Sequence, residues 1–578
     1  MPKGGFGNLI ALPLQWMPRR EGNSEFVDDD LNPYRDQWKL LKSIRRLALD
    51  HLDWTVAQAS RQGAVIAVRA VDPDPDDLEH QPWLRAPSRR VAPKPVEGPF
   101  PTDVEIVLSN MLFVPKAGLP EAMLSRIVRI AAFQNPAFYR AQAMRLNTWD
   151  KPRVIGCADD LAAHLALPRN CRDEVVQLLQ DHKIKVVVRD ERTSGRPISA
   201  KFVGELRTDQ TTAMDAIVPH DTGILSAPTA FGKTVIAAAL IARRGVNTLV
   251  LVHRRQLLDQ WRERLSIFLG APLAQIGQIV GGKMATTGTI DVALIQTLRR
   301  KGEVDNLVVA YGHVIVDECH HLSAISFEKV MKEVKAKFIT GLTATPTRKD
   351  GHHPVIFMQC GPIRHRIDAR KANLAAPFKH VVFARETGFQ AACPAELTIQ
   401  DLYSAIMKDA ARNEMIVRDV AAAIRRRGSP LVLTHRTEHL ETLANSLRSV
   451  CEVVVLKGGM GKQQRLAASN RLAQIPGDQP RIIVATGSYI GEGFDDPRLD
   501  TLFLTMPISW KGTLQQYAGR LHRLYHGKSV VRVYDYVDGQ IPVLARMFTR
   551  RLRGYQAIGY ELGTSIHNSA RSRLIDFQ

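Results

Sequence analysis

The stretch Ser226-Ala227-Pro228-Thr229-Ala230-Phe231-Gly232-Lys233-Thr234 lies between an apolar run, Gly223 to Leu225, and a helix-like run, Val235 to Leu240. A turn ending in glycine, lysine and threonine, placed after a strand and opening a helix, aims backbone N–H groups, a helix N-terminus and one ammonium at a single point. That is the chemistry of a phosphate-chain cradle, and it requires a buried strand feeding directly into a helix. From Leu206 onward the chain supplies this setting. Thr248 to Val252, Val292 to Ile295, Val314 to Val316 and Phe338 to Leu342 are apolar segments alternating with amphipathic ones. Such alternation predicts a parallel sheet with helices on both faces and ligands beyond the strand C-termini. A second series, Leu431 to Leu433, Val453 to Leu456, Ile482 to Val484, Thr501 to Leu504 and Arg532 to Tyr536, repeats the pattern, so two tandem α/β units are expected. Gly361 to Ile399 reads as a crossover between them, and a basic helix, Leu544 to Tyr560, follows Asp538.

The 578 residues exceed what one core can organise, since single cores stop growing at roughly 250–300 residues. Residues 102–205 are expected to form a small α/β accessory domain, with helical runs Met123 to Phe133 and Asp159 to Leu167 and a strand pair around Lys185 to Arg189. Residues 71–101 carry Asp-Pro repeats and then Arg85, Arg89, Arg90 and Lys94 among prolines, which suits an extended linker. Residues 1–70 hold too little apolar surface for a core of their own. Hydrophobic content is 45%, yet no apolar run reaches the roughly 18–20 residues of a membrane span. The start shows no secretory signal, so a soluble, cytoplasmic protein is expected. The six cysteines form no C-x-x-C pair, which implies neither a disulfide framework nor a zinc site. Lysine plus arginine (78) exceeds aspartate plus glutamate (58), and the net charge of +20 favours a polyanionic partner.

Val316-Asp317-Glu318-Cys319-His320 follows a strand downstream of the cradle. Phosphoanhydride hydrolysis needs one carboxylate to hold magnesium and another to orient water, and adjacent acids at a strand end supply both. His320 and His321 beside Cys319 do not make a zinc site, because consecutive residues point apart and no second pair exists.

With these motifs in order, Leu206 to Tyr560 resembles a superfamily-two helicase of the XPB-like and type III restriction-subunit-like group. The resemblance implies two RecA-like domains, 206–375 and 376–578, with ATP and Mg²⁺ as ligands. It places Gln210 and Arg207 in an adenine-reading motif and Thr229, Gly232, Lys233 and Thr234 on the phosphates, with Thr234 and Asp317 as metal ligands. Glu318 would activate water, and Thr343-Ala344-Thr345-Pro346 would couple nucleotide state to the nucleic-acid site, with His320 joining that coupling. In the second unit, Gly493 and Asp495 would hold the ribose side of the nucleotide, and Gln516, Arg520 and Arg523 would face the γ-phosphate. These last three share one face if the segment is a helix, since three- and four-residue spacings do so. Arg254, Arg255, Gln260, Gln296, Thr297, Arg436 and Thr486 fall where the family contacts the nucleic-acid strand, DNA being favoured over RNA. Residues 1–70 resemble the tail of the archaeo-eukaryotic primase domain of TOTE conflict systems, with no catalytic carboxylates of that domain seen upstream. Primer synthesis is therefore not expected, and a primase or other defence-system protein becomes a partner class. The expected activity is ATP-driven helicase or translocase work without a membrane; the alternatives are an ATP-clamped remodeller that never separates strands, or a non-hydrolysing fragment.

Many relatives place glycine where this chain has Ala230. If the position needs a positive φ, alanine costs on the order of 1 kcal/mol there. Ala230→Gly is thus expected to leave steady-state ATPase activity equal or higher, and a large loss would contradict this loop geometry.

Overall fold

The computed structural model describes residues 14, 19–20, 25–28, 32–44, 96, 98–281, 283–300, 303–319, 324–345, 351–374, 376–391, 397–490, 494, 496–508 and 511–563. Of the N-terminal segment this includes a helix, Gln37–Ser43, whose first turn is capped by the Asp36 carboxylate accepting from the Lys39 amide at 2.9 Å. Most of the expected linker lies outside the described residues.

The accessory unit is built on a five-stranded sheet ordered Asp159–Asp160, His164–Leu167, Leu112–Pro115, Asp103–Leu108, Lys185–Asp190. Helices Glu121–Ile130 and Arg172–Asp181 bury Met123, Ile127, Val175 and Leu179 in its core. The structure corrects the helix expected over Asp159 to Leu167, which is two strands instead. Alanine and leucine favour a helix locally, but antiparallel pairing of Leu165 with Val114 and of Leu167 with Leu112 buries Leu165, Ala166 and Leu167, and tertiary pairing overrides propensity. The helical run expected through Phe133 ends at Ile130, and Ala132–Gln134 is a strand.

The remainder holds two parallel-sheet lobes. In the first, β1 (Thr222–Ser226), β2 (Thr248–Val252), β3 (Ile276–Val280), β4 (Lys283–Ala285), β5 (Ile290–Leu294), β6 (His313–Asp317), β7 (Phe338–Thr343) and β8 (Ile363–Arg366) are ordered β4-β3-β5-β2-β6-β7-β1-β8. Only β4 runs antiparallel among these pairings. The near-continuous apolar strands are buried on both faces, as parallel sheets require, with Leu225, Val250, Val292, Ile315 and Leu342 in one core with helices Lys233–Arg244 and Arg255–Phe268. In the second lobe, β9 (Lys379–Glu386), β10 (Pro430–Thr434), β11 (Glu452–Leu456), β12 (Arg481–Thr486), β13 (Thr501–Leu504), β14 (Val530–Val537) and β15 (Glu561–Leu562) are ordered β11-β12-β10-β13-β14-β9-β15, and all are parallel.

Two expectations are revised. Gly361 to Ile399 is more than a crossover, because β8 joins the first sheet and β9 the second. The helix expected from Leu544 spans Pro542–Ala557, and its Arg551 is turned inward, donating from Nε and Nη2 to Asp535 at 2.7 and 2.8 Å. Pairing and full hydrogen bonding make that buried charge tolerable. Arg412 is likewise fully buried against Asp538, at 3.0 Å, and donates to the Thr505 carbonyl. Among the described residues no helix is long and apolar enough to cross a membrane.

Candidate active site

The phosphate loop leaves β1 at Ser226, and the Ala227 amide donates to the Thr343 carbonyl at the end of neighbouring β7 (2.9 Å). The loop then turns through two left-handed positions, Ala230 (φ 71°) and Gly232 (φ 95°), before Lys233 and Thr234 open the helix. Gly232 is required twice over, by its φ and because a Cβ there would press on the Gln210 amide. Gln210, expected in the adenine-reading motif, also braces the loop. Its Nε2 donates to the Phe231 carbonyl at 2.9 Å and its Oε1 accepts from the Arg207 amide at 3.1 Å, so this buried amide grips the loop. Arg207 does the same, donating from Nη2 to the Phe231 carbonyl at 3.0 Å, and neither residue lines the cleft.

Asp317 is the last residue of β6, and Glu318 follows with φ 45°, an uncommon left-handed conformation for a non-glycine residue. Lys233 Nζ lies 3.1 Å from Glu318 Oε1 and donates to the Ala227 carbonyl at 3.3 Å. Asp317 Oδ2 accepts the Trp261 indole N–H at 2.6 Å, and Oδ1 accepts the Glu318 amide at 3.0 Å. Burial pushes the Asp317 carboxyl up to about 6, and the Glu318 charge adds to this, against the pull of Lys233 and the indole bond. Two adjacent carboxylates share the cleft with Lys233 and with the Thr234 hydroxyl, an oxygen donor set that suits magnesium, whose remaining ligands come from phosphates and water.

The opposite wall belongs to the second lobe. A cleft is lined by Thr229, Ala230, Gly232, Lys233, Thr234, Asp317 and Glu318 on one side and by Gln516, Arg520 and Arg523 on the other. The single helix expected for these last three is not formed. The α-helix is Lys511–Gly519, Arg520–His522 is a 3₁₀ turn, and Arg523 is extended (φ −70°, ψ 135°). Tightening the turn keeps all three side chains on the cleft despite the break. Gly519 is where the walls meet: a Cβ there would overlap Thr229 Oγ1, and that buried hydroxyl finds no hydrogen-bond partner among the described residues.

The helix Arg255–Phe268 brings further residues to this cleft, beyond those assigned to it from sequence. Gln260, expected on nucleic acid, lines this cleft, as do Leu257 and Arg264, while Trp261 sits behind Asp317. The spacing 257, 260, 261, 264 is one helical face, which is the signal that could have found them. Arg254 precedes the helix and Arg255 begins it, paired with Asp259 at 3.4 Å. Gln296 Nε2 donates to the His253 carbonyl at 3.1 Å, and the Thr297 hydroxyl accepts the Gly281 amide at 3.4 Å, so the two expected strand-contact segments leave parallel β2 and β5 at the same end. In the second lobe Arg436 bonds Gln400, and Thr486 is buried with its hydroxyl accepting the Gly458 amide at 3.0 Å. Gly493, Asp495, His320, His321 and Pro346 lie outside the described residues.

Because Asp317 must be ionised to hold a cation, hydrolysis should fall as pH drops through about 6. Trp261→Phe keeps the ring and deletes the bond that favours the charged form, so the acid limb should move up by about one unit. Magnesium-dependent binding of a fluorescent nucleotide, followed against pH beside kcat, should shift with it; an unmoved limb contradicts the assignment.

Residues 204–348 match the family described as type III restriction enzyme, res subunit, and residues 1–54 match the TOTE conflict system archaeo-eukaryotic primase domain. The 161L protein of Invertebrate iridescent virus 6, a helicase by name, is 26% identical over 383 residues, covering 63% of this chain and 83% of that protein. The DNA 3'-5' translocase XPB2 of Sulfurisphaera tokodaii is 30% identical over 210 residues, 36% of this chain and 46% of its own. The crystal structure of T4 UvsW aligns with 80% of this chain and 99% of its own at 17% identity and a TM-score of 0.36, too loosely to bear on function. Residues 204–348 are thus of the type III restriction res-subunit type and residues 1–54 of the TOTE primase type, and the chain is similar to ATP-hydrolysing helicases of superfamily two.

Proposed function

We propose that the chain is a nucleic-acid-stimulated translocase that hydrolyses ATP between its two parallel-sheet lobes. The observation that supports this most is the shared cleft, in which Lys233 and Thr234 face Arg520 and Arg523 with Gly519 set against Thr229. Lys233 exchanges Glu318 for the β- and γ-phosphate oxygens, which frees Glu318 to orient water. Thr229 Oγ1, buried beside Gly519, would donate to the same phosphate chain. Arg520 and Arg523 hold fixed positive charge where the transition state gathers negative charge, and a planar guanidinium suits that task. Thr234 and Asp317 would hold magnesium, which would neutralise charge on the phosphates when bound. Loss of the γ-phosphate removes the bridge between the lobes, and their opening and closing moves two strand-binding surfaces.

DNA is the favoured track. The relative XPB2 is a DNA translocase by name, and residues 1–54 match a primase domain, which also makes a primase or other defence-system protein the partner class. Phosphate contacts through Arg254, Arg255, Gln296, Thr297 and Arg436 would give binding without sequence preference and with strong salt dependence. ATPase stimulation across single-stranded, duplex and forked DNA and RNA tests this: stimulation by DNA is expected, and an RNA-only response overturns the choice of track.

Gly519→Ala tests the two-walled site. The backbone there is helical (φ −62°, ψ −18°), so alanine fits the chain and only the contact with Thr229 is challenged. We expect kcat to fall at least about tenfold with nucleotide binding retained, and partial recovery when Thr229→Ala is added. Normal turnover in Gly519→Ala would contradict closure through this contact.

A further inference from the structure

The accessory unit carries an outgrowth that the ATP cleft does not use. Strands Ala132–Gln134 and Val154–Gly156 pair antiparallel, Gln134 opposite Val154, so the chain between them leaves and returns at one place. Its root is fixed: Asn135 Nδ2 donates to the Pro152 carbonyl at 2.8 Å, and Oδ1 caps helix Pro136–Ala143 by accepting the Ala137 amide at 3.0 Å. Arg153 lies over the buried Phe138 ring, 5.5 Å from its centroid. Beyond this base stand Tyr139, Met144, Leu146 and Trp149, all exposed, and Trp149 at 84% is the most exposed large apolar side chain among the described residues. Exposed apolar groups gathered on one outgrowth mark a surface that is covered by something else.

Charge says what covers it. From Ala122 to Ala158 the chain holds Arg126, Arg129, Arg140, Arg145, Lys151 and Arg153 against a single acid, Asp150, which lies 2.6 Å from Lys151. Arg140, Arg145 and Arg153 are exposed on the same outgrowth as the aromatics. A protein surface would be met by mixed charge, whereas aromatic faces interleaved with cations suit a polyanion whose bases offer π-faces. An indole standing clear of the fold needs an unpaired base, because the faces of a duplex are already stacked. We propose that the 136–153 outgrowth is a single-stranded nucleic-acid-binding site in which Trp149 stacks on an unpaired base and Arg140, Arg145 and Arg153 neutralise neighbouring phosphates. It rests on the reading above only in taking nucleic acid as the partner.

Fluorescence anisotropy of labelled oligo(dT), oligo(U) and a duplex, using the full chain, tests it. Trp149→Ala should weaken single-strand binding about tenfold, Trp149→Phe should restore most of it, and duplex affinity should stay put. Arg140→Gln should reduce the slope of log affinity against log salt by about 0.7, while Trp149→Ala leaves that slope unchanged. Nucleic-acid-free ATPase activity equal to wild type confirms folding of each variant. Single-strand affinity within twofold of wild type in Trp149→Ala overturns this site alone, as does a change of oligomeric state without loss of affinity. Failure of the wild-type chain to bind any of the ligands overturns both this site and the translocase reading.

Discussion

Parallel hydrogen bonding among β6, β7 and β1 is the constraint on which the site depends. Asp317 pairs in register with Leu342, and Thr343 with Ser226, so the carboxylate, the threonine turn and the start of the phosphate loop all emerge at one end of one sheet. The Ala227 amide bonded to the Thr343 carbonyl extends that pairing into the loop itself. An antiparallel arrangement would send alternate strand ends to opposite sides and scatter these groups. Once they are gathered, burial makes their charges expensive, and the Lys233 ammonium between Glu318 and the Ala227 carbonyl is the compensation the chain itself supplies. In the proposed mechanism a triphosphate would replace that internal ion pair by a stronger, charge-assisted set of contacts.

The second lobe contributes a different kind of wall. Its cleft-lining groups come from the break between helix Lys511–Gly519 and the 3₁₀ turn after it, and the turn is fixed from behind. His522 Nε2 and the Tyr560 hydroxyl lie 2.8 Å apart, and Lys528 Nζ donates to the carbonyls of Leu521 and Arg523 at 3.1 and 2.8 Å. The guanidiniums are therefore carried on a braced backbone, which is what preorganised charge stabilisation requires. Trp261 joins the first lobe's strand-contact region to its chemistry, since the helix that begins at Arg255 also delivers the indole to Asp317.

Much of this was legible in sequence because parallel strands are short and apolar throughout and end in the polar residues that matter. The strand segments of both lobes and the placement of Asp317, Glu318 and Lys233 at strand or helix ends follow from that grammar. What escaped was set by tertiary contact. Asp159 to Leu167 has helical composition but is held as strands by Leu112–Pro115. Gln516 to Arg523 has helical spacing, yet the helix stops at Gly519 where the lobes approach. The bond from Gln210 to the Phe231 carbonyl, which braces the loop twenty-one residues away, has no local signal either. The inward turn of Arg551 depends on Asp535, a partner sixteen residues away that no local pattern identifies.

The central claim is that ATP is cut only when both walls hold it, and single-turnover hydrolysis by Arg523→Ala, with nucleotide affinity measured in parallel, tests this most directly. Near wild-type affinity is expected, because Lys233 and Thr234 would still grip the phosphates, with the hydrolytic step slowed by at least about a hundredfold. Hydrolysis at the wild-type rate in that variant would show that the rear guanidiniums take no part and that the front wall acts alone.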